Sequence, residues 1–157
     1  MEWVIQWLFL LLSLGVFLYW IKHPPFRDWA LVFFSTGYFS IFIAVIFVEE
    51  KSFAFPVRFL PEYFSTNVLY EFVFFPIICV LYNYTTFGST IERAMGQAVL
   101  YSLLLTAAEF WFLKRTELIV YHRWNLMHTF ISIIIFLIFT RYVLKWLGEP
   151  DPKKMRS

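Results

Sequence analysis

The sequence predicts an all-α, polytopic membrane protein: a bundle of five transmembrane helices joined by short loops. Three observations carry that prediction. The 157 residues are 61% hydrophobic and 15% charged, against roughly 45 to 50% apolar and about 25% charged in soluble domains, so charges are too few to coat a soluble surface. Apolar residues run in five continuous stretches of about the roughly 20 residues that cross a hydrocarbon core, without the alternation of a barrel strand. The seven Trp fall at or close to the ends of those stretches, where indole prefers to sit.

The first span covers 3–21 and is stopped by Lys22-His23-Pro24-Pro25. Only Met1 and Glu2 precede it and no small-residue cleavage site follows, so it reads as a retained span and not as a signal peptide. Asp28 is placed to cap the second span, 29–48, by accepting from the free amides of its first turn. Gln6 with Ser13, and Thr36 with Ser40, give these two spans polar stripes that suit inward packing faces. Residues 52–66 carry Pro56 and Pro61 among many aromatics and read as an interfacial loop.

The third span, 67–84, carries Glu71 near its start and Pro76 in its middle, where proline leaves the Phe72 carbonyl without a helical donor. Ser89-Thr-Ile-Glu92 has the form of a capping box opening the fourth span, 90–113. The fifth covers 125–147, completing one helical domain over 1–147, and the charged tail 148–157 is expected to be disordered.

Five spans place the termini on opposite sides of the bilayer. The C-terminal side collects Lys22, Arg27, Arg93, Arg141, Lys145, Lys153, Lys154 and Arg156, eight of the thirteen Lys and Arg. The positive-inside rule therefore puts the C-terminus in the cytoplasm and the N-terminus outside. A net charge of +2, spread over the loops, gives nucleic acid no basic patch to bind. The lone Cys79 lies in an apolar run and reads as a small buried hydrophobe. The partner implied throughout is the lipid bilayer, and polar stripes on several spans also suit a homo-oligomer or a membrane-protein partner.

One polar cluster stands out against this background. At about 1.5 Å rise per residue, Glu71, Glu109 and His128 all lie roughly 6 to 8 Å below the same rim. If the helix of the fifth span extends back to Tyr121, then Tyr121, Asn125, His128 and Ser132 share a face. Ionisable groups inside spans are costly and usually face the bundle interior or a wet cavity. Glu71, Glu109, Asn125 and His128 are therefore the candidate binding residues, with Glu71, Glu109 and His128 as ligands if a divalent metal is held. The same groups would suit cation coupling or a general base.

The alternative is structural, with Glu109 paired to Lys114, Arg115 or His128 and Asn125 tying helices together. No HExxH, GxSxG, phosphate-binding glycine loop or CxxC is present, so the motifs favour no enzyme class. Haem is disfavoured, because His122 and His128 share one segment and His23 is on the other side. The first functional expectation is accordingly an accessory, sensor or assembly subunit, and the second is a small transporter or metal-dependent membrane enzyme with a site opening outward.

At Leu81-Tyr-Asn-Tyr-Thr-Thr-Phe-Gly88 and Tyr121-His-Arg-Trp-Asn125, the latter followed by an Ile- and Phe-rich span, the chain resembles small five-helix membrane proteins of spore-forming Gram-positive bacteria. That resemblance implies a plasma-membrane location and supplies no activity.

Overall fold

A computed structural model describes residues 1–21 and 26–146, so Lys22, His23 and the tail 148–157 lie outside the described residues. The fold is all-helical, and among the described residues five helices are long and apolar enough to cross a membrane. They are α1 (Glu2–Ile21), α2 (Phe26–Glu49), a π-helical segment (Leu69–Phe74) running directly into α3 (Phe75–Thr86), α4 (Ile91–Arg115) and α5 (Leu126–Trp146). Two short strands, β1 (Phe53–Ala54) and β2 (Val120–Tyr121), pair antiparallel, with Phe53 opposite Tyr121 and Ala54 opposite Val120.

The bundle is apolar outside and partly polar within. Leu11, Phe34, Phe42, Leu104 and Ile135 are among many large apolar side chains left exposed, as lipid-facing helices require. The predicted stripes of Gln6, Ser13, Thr36 and Ser40 are buried. Hydroxyl and amide groups then join the helices from inside. Asn83 donates to the Cys79 carbonyl (2.8 Å) and to Thr140 Oγ1 on α5 (3.0 Å). Ser102 on α4 donates to the Phe130 carbonyl of α5 (2.6 Å), and the Tyr82 hydroxyl to the Ala94 carbonyl (3.1 Å). Cys79 is wholly buried among these groups.

Two helix starts differ from the sequence expectation. The α2 helix begins at Phe26, so Asp28 lies in its first turn, where the helix dipole still favours an anion, and does not cap it. At α4 the cap is Thr90, whose Oγ1 accepts from the Arg93 amide (3.4 Å). Ser89 instead donates to the Thr86 carbonyl (2.6 Å), so the Ser89–Glu92 box does not form: the helix starts one residue later than that box needs.

Proline explains the irregular third span. Pro76 has no amide hydrogen, and the chain answers by widening one turn: the Phe75 amide bonds to the Tyr70 carbonyl, five residues back. Such π turns recur at functional sites, and this one carries Glu71. Gly37 of α2 lies against it, since a Cβ at Gly37 would stand 3.0 Å from Phe72 Cδ2.

The loops after α2 and after α4 meet at one end of the bundle, and α1 reaches the same end through Gln6, whose Nε2 donates to the Val57 carbonyl (3.1 Å). The α2 helix closes with Ser52 N–H to the Phe47 carbonyl and Lys51 N–H to the Val48 carbonyl (both 2.9 Å), the paired bonds of a Schellman ending. The freed Ser52 carbonyl then accepts from the amides of His122 (3.0 Å), Arg123 (3.0 Å) and Trp124 (3.1 Å). Arg58 binds the carbonyls of Phe55 (2.9 Å) and Phe64 (2.6 Å) from within its loop. Together these contacts make a roof over the helix ends.

Lys51 ends α2 with φ at +56°, a left-handed conformation that costs an L-residue roughly 1 to 2 kcal/mol. Lys51→Gly should therefore stabilise the fold by about 1 kcal/mol, measured as a rise of roughly 2 to 4 °C in the thermal midpoint. An unchanged or lowered midpoint would contradict this ending.

Candidate functional site

Beneath the roof is a cavity of about 110 Å³ lined by Glu71 and Glu109. Each carboxyl group is held by hydroxyls from a different element. The Ser40 hydroxyl of α2 donates to Glu71 Oε2, across the close approach that Gly37 permits. Glu109 of α4 is 8% exposed, and its Oε1 accepts from the Tyr121 hydroxyl and from Thr129 Oγ1 (3.2 Å). Thr129 also accepts from Trp124 Nε1 (2.8 Å), so β2 and α5 meet on one carboxyl oxygen of α4 and the second loop is tied to it through Thr129. Burial and the neighbouring Glu109 push the Tyr121 phenol well above its usual range, which keeps it protonated and able to donate.

Rings supply most of the remaining wall. Trp124 packs edge to face on Phe47 (4.8 Å, 62°) and on Phe53 (5.3 Å, 76°), and Phe75 does the same on Phe136 (5.4 Å, 80°). Among the described residues no Lys, Arg or His lines the cavity. Behind Phe55, Tyr70, Glu109 and Ile119, which line both, lies a second cavity of about 100 Å³. At the roof, a surface groove containing Tyr121 and Asn125 shares Ile119 and Trp124 with the first cavity.

The structure thus brings together two of the four residues proposed from sequence. Asn125 and His128 are exposed and do not line the cavity. The reason is local: Tyr121 is in a strand and α5 starts only at Leu126, so no helix carries a common face from Tyr121 to Ser132. On α5 the cavity is met by Thr129, Ser132, Ile133 and Phe136, the i, i+3, i+4, i+7 stripe, and His128 stands about 100° around the helix from Thr129. Its ring lies instead on Trp124, with centroids 5.1 Å apart.

Among the described residues no group of three or more His, Cys, Asp or Glu could hold a metal ion, which removes the Glu71, Glu109 and His128 ligand set. Glu109 has hydroxyl partners in place of the expected Lys114, Arg115 or His128, and Lys114 Nζ sits 5.8 Å over the Phe110 ring. Ser40, Trp124 and Thr129 are the site residues that sequence reasoning missed, whereas Tyr121 and Ser132 were on the polar face drawn from sequence and Tyr70 was legible as a tyrosine able to line a cavity. The signal for Thr129 was its apolar and hydroxyl stripe at helical spacing. Ser40 was visible only as part of a packing stripe.

Asn125 has a different task, since its Oδ1 accepts from the His128 amide (3.0 Å) and so caps α5. Asn125→Ala should cost about 1 kcal/mol of stability in thermal unfolding and leave ligand binding in the cavity unaltered. A binding defect at unchanged stability would restore Asn125 to the site.

Compared with known proteins, the chain matches no family model, no curated protein and no solved structure.

Proposed function

We propose that this chain is a multi-pass plasma-membrane protein, N-terminus outside and C-terminus in the cytoplasm, that works without catalysis as a sensor or accessory subunit by binding a cation between Glu71 and Glu109. One observation carries the reading: two carboxyl groups from different helices line a single cavity that, among the described residues, no basic side chain lines. Buried carboxyl groups inside spans are usually paired with one another or with a cation. The orientation is supported by the sequence bias alone, eight of the thirteen Lys and Arg falling in segments assigned to the C-terminal side, and in this reading the ligand approaches from outside through the groove beside Tyr121 and Trp124.

A transporter is a second reading, favoured by the second cavity on the far side of Glu109 and Tyr70. It requires cation flux in proteoliposomes that stops on Glu109→Gln. For the primary reading, thermal unfolding of the purified protein is followed against a panel of monovalent, divalent and organic cations at constant ionic strength. At least one should raise the midpoint in the wild type and not in the Glu71→Gln/Glu109→Gln variant. A panel with no effect, or an effect that survives the double substitution, would reject cation binding here.

A further inference from the structure

The walls and the free oxygens of the Glu71 and Glu109 cavity narrow the class of ligand. We propose that it takes a small organic ammonium ion, in the range from methylammonium to tetramethylammonium. This rests on the cation-binding reading above and goes beyond it in naming the ligand class.

Size sets the first bound. A cavity of about 150 Å³ takes benzene, so about 110 Å³ suits a ligand of roughly four or five heavy atoms. The rings of Phe47, Phe53, Trp124 and Phe136 then decide against a metal ion. Magnesium and calcium need a shell of six or more oxygens, which ring walls cannot supply. An ammonium ion needs no such shell, and its attraction to an aromatic face grows as water is excluded.

The carboxyl groups supply the other half of the recognition. Glu109 is more than nine-tenths buried and makes its hydrogen bonds through Oε1 alone, while Glu71 is bonded through Oε2 alone. Each therefore keeps one oxygen for an N–H donor or for the charged face of a methylated ammonium. A neutral apolar molecule of the same size would leave both oxygens unmatched, which is costly in a buried site.

Isothermal titration of the protein in lipid nanodiscs tests this with tetramethylammonium and methylammonium chloride. The comparison ligands are sodium chloride and magnesium chloride at equal ionic strength and tert-butanol as a neutral molecule of similar shape. Saturable ammonium binding is expected, weakened about tenfold or more by Glu109→Gln and by Trp124→Leu, with Phe136→Leu as the second aromatic variant should Trp124→Leu misfold. Equal binding of tert-butanol, unaffected by Glu109→Gln, would reduce the site to an apolar void and overturn the proposal. Carboxylate-dependent binding of magnesium or sodium with no ammonium binding would overturn the ligand class and leave the cation reading standing. No heat from any cation with folded protein would remove both.

Discussion

Glu109→Ala lowers the thermal midpoint of the purified protein by roughly 5 to 10 °C, corresponding to about 2 to 3 kcal/mol. The substitution removes the common acceptor of Tyr121 and Thr129, and interhelical hydrogen bonds within membranes contribute about 0.6 kcal/mol each, up to roughly 1.7. It also leaves an unfilled volume next to an existing cavity, which adds a packing loss. Glu109→Gln keeps both the shape and an acceptor oxygen, so its midpoint should stay within about 2 °C of wild type while cation binding weakens about tenfold or more. Tyr121→Phe removes one donor, for about 1 kcal/mol. Combined with Glu109→Ala it should cost less than the sum of the two single changes, because both delete the Tyr121–Glu109 bond, while the contact of the Tyr121 hydroxyl with Thr129 Oγ1 (2.8 Å) is lost only with the phenol. Full additivity in that cycle would show that the two side chains do not interact.

The second large effect is expected at Gly37. A Cβ there would meet Phe72 Cδ2 at 3.0 Å, Cε2 at 3.2 Å and the Phe72 carbonyl oxygen at 3.4 Å. The ring has little room to yield, since Phe33 packs on it with centroids 6.3 Å apart. Gly37→Val should therefore cost about 2 to 3 kcal/mol through overpacking and push α2 away from the π turn. Ser40 is three residues further on the same face of α2, so its bond to Glu71 is lost with the approach and cation binding falls together with stability. Gly15 is the control, because nothing lies within 4 Å of a Cβ built there. Gly15→Ala should be neutral or stabilising by up to about 1 kcal/mol. Equal losses at the two glycines would mean that the approach of α2 to the π turn is not what positions Glu71.

Those two sites also show which parts of the molecule a sequence can disclose. The spans were legible because lipid imposes length and composition on every helix, and Glu71 and Glu109 were legible because a carboxyl group inside an apolar run is conspicuous. The burial of Thr36 and Ser40 followed from the same logic. Pro76 announced an interruption, yet whether the chain would kink or widen depends on neighbours such as Gly37 that are distant in sequence. The paired strands are two residues each, too short to leave an alternating pattern, and they decided the outcome at the second loop. A helical face drawn back through Tyr121 placed Asn125 and His128 in the site, whereas the strand ladder and the Ser52 carbonyl turn that stretch into a roof and deliver Tyr121 and Trp124 instead. The Glu109 partners were hidden because two hydroxyls on different segments, Tyr121 of β2 and Thr129 of α5, carry no spacing signal.

Thiol cross-linking measures most directly whether Glu71 and Glu109 share one cavity. In a Cys79→Ala background, the Glu71→Cys/Glu109→Cys protein is treated in membranes with a short bis-maleimide, and intramolecular bridging is read by mass spectrometry. The same is done for Glu71→Cys/Ile91→Cys, where Ile91 begins α4 at the opposite end of the bundle. Bridging of the first pair by a single reagent, with separate labelling of both thiols in the second, is the predicted result. Separate labelling of both thiols in the first pair would contradict it.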